Sequence, residues 1–373
     1  MDSKQDMIMD LRQASLDVIR AGQAPNGAYV ASPTFSQYGY SWLRDGAWIA
    51  HAMAVTDHHD SAEAFHQWAA GTLLRYTPQV EALLAKIANG ETLAETDYLP
   101  TRFSLDGALG QEDWPDFQLD GYGVWLWVLV QHCRTVNPEL WPQVRPAVAL
   151  LVRYLAALWQ SPNYDCWEEF RDHIHTATLA SLYGGLSAVE AHDPQLIPAG
   201  LPAAIKTHIL TQGIAPYGGL SKFIPPSPAP GKTVDASLLW AFVPFGLVSL
   251  DDPIFAATLA RIEADLLCPG GGVYRYRDDT YFGGGEWILL AAWLGWVYVE
   301  LNRLDEARAL RDWISTQFTT DGHLPEQVNH HLLDASYYDG WVEKWGTSAS
   351  PLLWSHAMYL ILDTTLSQKE AAQ

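Results

Sequence analysis

The stretch EWILLAAWLGWVYVE at 286–300 decides how this chain folds. It has helical length, and between its two terminal glutamates no side chain carries a charge. A helix without a polar face must be buried on every side. Three further stretches share this character: GYGVWLWVLVQHC at 121–133, ASLLWAFVPFGLV at 236–248 and SPLLWSHAMYLIL at 350–362. Between them lie amphipathic stretches such as PIFAATLARIEADLL at 253–267 and LDEARALRDWISTQF at 304–318, each with one charged face for water. The periodicity predicts twelve helices, over 5–21, 45–57, 61–88, 120–136, 141–160, 175–192, 195–212, 234–247, 252–267, 285–301, 304–318 and 348–366. Buried and half-exposed helices alternate along the chain. That alternation predicts two concentric rings, six inner helices wrapped by six outer ones: an all-α (α/α)6 barrel.

No sequence repeat stands out beyond this hydropathy pattern, and no Gly/Ser linker or low-complexity tract divides residues 1–373, so the chain reads as one barrel domain. The Pro-rich piece FIPPSPAPGK at 223–232 reads as a loop before an inner helix. All inner helices run the same way, so every loop that precedes one opens at the same end. Those loops are long and hold the polar and aromatic clusters: SQYGYSWLRD at 36–45, EDWPDFQLD at 112–120, DCWEEFRD near 165–172, YRYRDDTYFGGGE at 274–286 and LPEQVNHH at 324–331. Long loops on a compact domain are usually functional. The other end has short connections such as NRLDE at 302–306. One functional face follows.

Composition narrows what that face binds. The formal net charge of −21 repels phosphate backbones and anionic lipid, which speaks against nucleic acid and membrane partners. Cys133, Cys166 and Cys268 form neither a disulfide framework nor a zinc pattern. The N-terminal MDSKQDMIMDLRQ lacks the apolar core of a secretory signal, so the expected location is the cytoplasm. Seventeen tryptophans and seventeen tyrosines suit either a large aromatic core or a cleft that stacks on sugar rings.

Several side chains in the long loops suggest chemistry, each beside a plainer reading. Glu168 and Glu169 follow Trp167, an apolar neighbour that would desolvate a carboxyl group and hold its proton near neutral pH. Residue chemistry does not choose between the two glutamates, and either could simply be a charge at a helix start. Glu326 lies in the last long loop, behind Pro325, and can reach the same mouth. Paired carboxyl groups, one protonated and one ionised, suffice to hydrolyse a glycosidic bond. Arg44 with Asp45, and Arg275 with Asp278 and Asp279, offer donor–acceptor clamps for vicinal hydroxyls or ordinary caps and ion pairs. His173 with His175 and His330 with His331 lack metal-site spacing, and no cysteine joins them, so no metal is expected. His356 reads as a core histidine, and Gly283, Gly284 and Gly285 as residues that let backbone approach the cleft.

Taken together, these motifs resemble glycoside hydrolase family 15, the glucoamylase family. YGYSWLRD at 38–45, WPDFQLDGYG at 114–123, DCWEEF at 165–170, RYRDDTYFGG at 275–284, and LPEQ at 324–327 followed by TSASPLLWSHAMY at 347–359 occur in the family's order. The resemblance spans nearly the whole chain and implies the (α/α)6 barrel as well. It implies inversion at the anomeric carbon, with Glu168 as general acid and Glu326 as general base. By the same resemblance Arg44, Asp45 and Arg275 hold the non-reducing glucose, Tyr38, Trp42 and Trp167 line its pocket, and Trp114 and Asp120 border the first two subsites, with Glu169 beside them. No cofactor is implied. The barrel is expected without the N-terminal β-sandwich or starch-binding module that some members carry, which favours short oligosaccharides over starch. Isomaltose-type α-1,6 glucosides are the first expectation and maltose-type α-1,4 the second. A trehalase, a disaccharide phosphorylase on the same fold and a non-catalytic sugar-binding barrel are the competing readings.

Overall fold

A computed structural model describes the backbone of residues 2–373 and the side chains of residues 10–373. In chain order its helices are α1 (Asp2–Ala21), α2 (Leu43–Val55), α3 (His59–Arg75), α4 (Thr77–Ala88), α5 (Asp120–Thr135), α6 (Trp141–Leu158), α7 (Thr176–His192), α8 (Leu201–Gln212), α9 (Pro253–Asp265), α10 (Ile288–Glu300), α11 (Leu304–Ser315), α12 (Tyr338–Trp345) and α13 (Leu353–Ala371). The inner ring closes on itself: α2 packs on α5, α5 on α7, α7 on a 3-10 segment at Ala236–Ala241, that segment on α10, α10 on α13, and α13 back on α2. Helices α1, α3, α8, α9 and α11 pack on the outside of α13, α2, α7, the 3-10 segment and α10, respectively. The all-α double ring expected from hydropathy is therefore present. Every residue of α10 from Ile288 to Val299 is buried, as its uniform apolarity requires.

The helices expected over 195–212 and 348–366 begin later, at Leu201 and Leu353; two others are broken or replaced, and proline explains both. The helix expected over 61–88 breaks at Tyr76. Pro78 cannot donate to the carbonyl of Leu74, and its ring would clash there; Thr77 Oγ1 donates to that carbonyl instead, at 2.8 Å. The inner helix expected over 234–247 is reduced to the 3-10 segment. Pro244 lacks the N–H that would continue the helix, and Gly246 takes a left-handed φ of 61°. The carbonyl of Val243 is satisfied by the Trp293 indole at 2.9 Å. The segment still fills its place in the ring with buried Leu238, Leu239 and Trp240. Helix α12 was not expected; it lies in the loop before α13.

Three two-residue antiparallel ribbons tie the loops at the functional end together in pairs. β1 (Ser41–Trp42) pairs with β2 (Arg102–Phe103), β3 (Ile174–His175) with β4 (Phe223–Ile224), and β5 (Glu286–Trp287) with β6 (Gln327–Val328).

A second repeat is visible only in the backbone. Six five-residue turns, each lying between an outer helix and the next inner element, share one hydrogen-bond pattern. The first residue's N–H donates to the fifth residue's carbonyl, and the fourth residue's N–H donates to the first residue's carbonyl. The turns begin at Ala24, Ser104, Asp165, Ala215, Cys268 and Thr319. The fourth position needs positive φ, and five turns place glycine there: Gly27, Gly107, Gly218, Gly271 and Gly322. In the turn that begins at Asp165 the fourth residue is Glu168, with φ 68°. The sequence expectation of no repeat is thus corrected: the repeat is one glycine per turn, too sparse to see beside the hydropathy pattern.

Candidate active site

The loops at the ribbon end enclose a cavity of about 220 Å3. Tyr38, Trp42, Arg44, Asp45, Trp114, Trp167, Glu168, Arg275 and Glu326 all line it. Nine of the sequence-derived site residues are thus brought together from five loops. Below the cavity the ring is filled: Trp48, Trp240 and Trp293 are fully buried, with Trp293 edge-on to Trp48 at 4.7 Å and stacked on Trp240 at 5.0 Å. These rings close the floor of the cavity.

Glu168 owes its place to an unfavourable backbone. A left-handed conformation costs a non-glycine residue about 1–2 kcal/mol. The surrounding turn enforces it. Asp165 Oδ1 accepts the N–H groups of Trp167 at 3.0 Å and Glu169 at 2.9 Å, clasping Glu168 from both sides. Asp165 Oδ2 lies 3.1 Å from the ammonium of buried Lys222, which also donates to Asp235 at 2.5 Å. Asp235 in turn accepts the Trp167 indole N–H, at 3.0 Å to one oxygen. Burial disfavours the Lys222 ammonium, but Asp235, Asp165 and Glu169 outweigh it and hold its pKa above the usual lysine value. Nothing in the spacing of the sequence joins Lys222 or Asp235 to this turn.

The indole that meets the Glu168 carboxyl is Trp42, which donates to Oε1 at 2.7 Å; Gln118 donates to the same oxygen at 3.3 Å. This corrects the expectation that Trp167 shields that carboxyl. Trp167 is instead part of the wall, anchored on Asp235 and packed against Trp287 with ring centroids 5.2 Å apart.

Glu326 is held differently. Its N–H donates to the Ala349 carbonyl and its own carbonyl accepts from Ile288 N–H, so the start of α10 and the entry to α13 fix its backbone. Nearby, Leu324 N–H donates to His356 Nε2 at 2.9 Å, which makes His356 the satisfied core histidine that was expected. Tyr38 donates to Glu326 Oε1 at 3.1 Å, and the Tyr38 and Tyr281 hydroxyls are 3.0 Å apart. Oε2 of Glu326 is buried with no partner among the described residues. Burial pushes the Glu326 carboxyl up to about 7, against the pull of the Tyr38 hydrogen bond and of Arg275.

Arg44, at the start of α2, donates to Gln118 Oε1 at 2.9 Å and to Asp120 Oδ2 at 3.1 Å. Its Nε lies 3.6 Å from Asp45 Oδ1 as an ion pair; both atoms are buried without hydrogen bonds, and Asp45 is pushed by burial to about 7 despite Arg44. These two atoms and Glu326 Oε2 belong to residues that line the cavity. They are suited to a ligand dense in hydroxyl groups. Arg275 is clamped by Asp279 through two bonds, 2.7 and 2.5 Å, which orients its guanidinium.

Two expected site residues stand behind the wall. Asp120 is fully buried and does not line the cavity; it holds Arg44. Glu169 turns away to accept from the Tyr276 hydroxyl at 2.7 Å and lies 3.5 Å from Arg275. Gly283 and Gly284 serve the loop that follows rather than the cleft: their carbonyls accept from Asp334 and Leu333. Gln118, Tyr281, Trp287, Trp341, Trp345 and Trp354 are site residues that the sequence reading missed; all but Gln118 line the cavity. The WVEKW pattern at 341–345 was the available signal for α12, which carries Trp341 and Trp345 to the rim.

Residues 10–363 match the model of the family described as glycosyl hydrolases family 15. An isomaltose glucohydrolase of Kribbella flavida is 43% identical over 364 residues, covering 95% of this chain and 91% of that protein. The solved structure of a wild-type glycosidase superposes with a TM-score of 0.92 at 40% identity, covering 98% of this chain and 99% of that one. A bacterial glucoamylase complexed with acarbose shares the fold at a TM-score of 0.73 and 20% identity, covering 96% of this chain and 55% of that one.

Proposed function

The chain belongs to glycosyl hydrolases family 15 and is a glycoside hydrolase, and from that premise we propose an exo-acting, inverting hydrolase of short α-glucosides. It would release β-D-glucose from the non-reducing end, with isomaltose-type α-1,6 linkages preferred and maltose-type α-1,4 second. The similarity to an isomaltose glucohydrolase supports that order. The aromatic floor below the cavity supports exo action.

The observation that carries the reading is that two carboxyl groups line one cavity, each with one oxygen held. Glu168 uses Oε1 to accept from Trp42 and Gln118, which leaves Oε2 to carry a proton. That proton passes to the glycosidic oxygen as the bond to the anomeric carbon breaks, and the remaining sugar departs as an alcohol. Glu326 uses Oε1 for Tyr38 and keeps Oε2 for a water molecule. Water's oxygen bonds to the anomeric carbon from the opposite face while its proton goes to Glu326. A base near pKa 7 is a compromise between strength and availability at neutral pH. Arg44, Asp45 and Arg275 would hold the glucose hydroxyls, and Tyr38 with Trp42 and Trp167 would border the ring as positive charge develops.

The test is NMR of the sugar first released from isomaltose, maltose and trehalose. β-Glucose, released fastest from isomaltose, is expected. Initial α-glucose would reject inversion, and a preference for trehalose would reject the linkage assignment. Glu168→Gln and Glu326→Gln should each lower kcat by about 10²–10⁴-fold with an unchanged circular dichroism spectrum.

A further inference from the structure

Outside the cavity, one cluster has the composition of a metal site. Cys268 Sγ, a carboxylate oxygen of Glu286 and a ring nitrogen of His331 all lie within 4.8 Å of one another. They come from three segments. Cys268 opens the fifth of the repeated turns, Glu286 begins β5, and His331 follows β6.

Glu286 is the informative member. It is fully buried, and among the described residues the only cationic groups within ion-pair reach are His331, 3.0 Å from Oε1, and His330, 3.9 Å from Oε2. Oε2 itself has no hydrogen-bond partner among the described residues. A buried carboxylate without a firm cation is costly. The backbone is nevertheless shaped to admit it: a Cβ on Gly272 would come within 2.4 Å of Oε1. Cys268 is buried beside it, and His331 is half exposed at the surface, which gives an ion a way in.

We propose that Cys268, Glu286 and His331 bind one divalent transition-metal ion of the zinc type, with His330 or water as the fourth ligand. A thiolate and an imidazole select zinc-like ions over magnesium or calcium, which take oxygen ligands. The absence of a metal expected from sequence spacing is revised here, because folding supplies the cysteine that the histidine pair lacked. Binding displaces the thiol proton: the S–H bond breaks, the proton goes to solvent and the sulfur bonds the metal. The ion lies behind the β5–β6 ribbon, whose second strand directly follows Glu326. It would fix the segment after β6, whose Leu333 and Asp334 already donate to Gly284 and Gly283 and which leads into α12 at the cavity rim. The ion thus braces the rim and takes no part in the reaction, so this inference stands apart from the roles given to Glu168 and Glu326.

The full-length chain, stripped with a chelator, is titrated with Zn2+ by calorimetry while bound metal is counted by mass spectrometry. One ion per chain, release of about one proton and a raised Tm are expected. Co2+ should give a thiolate-to-cobalt absorption band. Cys268→Ser should abolish the band, and it and His331→Ala should each weaken Zn2+ binding at least about tenfold with glucoside hydrolysis retained. His331 is half exposed, so its variant keeps the test decisive even if Cys268→Ser folds poorly. No stoichiometric binding, or Zn2+ affinity unchanged in His331→Ala, would overturn the proposal.

Discussion

Replacing Lys222 by methionine tests how the acid-bearing turn is held. Methionine keeps most of the stem and removes the charge. The buried carboxylates of Asp165 and Asp235, now 3.1 and 2.5 Å from the ammonium, would face no cation. Deleting one partner of a buried pair costs about 3–5 kcal/mol. Unfolding entropy near 2.1 cal/mol/K per residue gives about 0.8 kcal/mol/K for 373 residues, so Tm should fall by about 4–6 °C. The pH dependence separates charge from packing. Burial raises the Asp165 pKa, but Lys222, His175 and the Glu169 N–H outweigh it and hold the carboxyl below its ordinary value. A depressed carboxylate contributes stability that is present above the unfolded pKa near 4 and lost as pH falls through the folded value. The gap between wild type and variant should therefore be full near pH 7 and close below about pH 4, where the stranded carboxyls are protonated. Adding Asp235→Asn to the variant should recover part of the loss at pH 7. In isomaltose hydrolysis kcat should fall by about 10–10²-fold, because the clasp around Glu168 loosens. Calorimetry from pH 3.5 to 8 and steady-state kinetics read these outcomes. A stability gap independent of pH, with kcat within twofold of wild type, would refute the reasoning.

Three further outcomes follow from the site. Glu326 has its folded pKa raised from 4.5 to about 7, so it weakens the fold as pH rises from about 4.5 to 7; Glu326→Gln should be more stable than wild type by about 3 kcal/mol at pH 8 and equal to it near pH 4, read by denaturant unfolding. The acid limb of kcat/KM should carry an apparent pKa near 7, and Tyr38→Phe should move it upward, since the Tyr38 hydrogen bond lowers the Glu326 pKa; a limb that stays put in that variant would dissociate it from Glu326. Glu168→Gly and Glu168→Ala should both be inactive, yet the glycine variant should be the more stable by about 1 kcal/mol, the reverse of the usual loop order, because φ at this position is 68°; an alanine variant of equal or greater stability would show that the turn relaxes.

What the sequence disclosed and what it hid divide along a physical line. Hydrophobic periodicity reports burial over whole turns of helix, so the ring was legible in α2, α5, α7, α10 and α13, while the 3-10 segment was misjudged because its burial is helical in pattern and only Pro244 and Gly246 break the backbone. The residues that touch the cavity sit at loop ends beside aromatic clusters, and Tyr38, Trp42, Arg44, Glu168, Arg275 and Glu326 were found there. Asp120 and Glu169 were misplaced because adjacency in sequence does not tell which way a side chain turns; Asp120 turns to Arg44 and Glu169 to Tyr276. Gln118, Lys222 and Asp235 act across the fold on residues far away in the chain, and no local pattern marks them. The turn repeat is the sharpest case. Each copy needs only one residue that tolerates positive φ, and five copies use glycine. The sixth gives that position to Glu168 and surrounds it with Asp165, Lys222 and Asp235, so the strain and the buried charges there share one explanation: together they aim a single carboxyl group into the cavity.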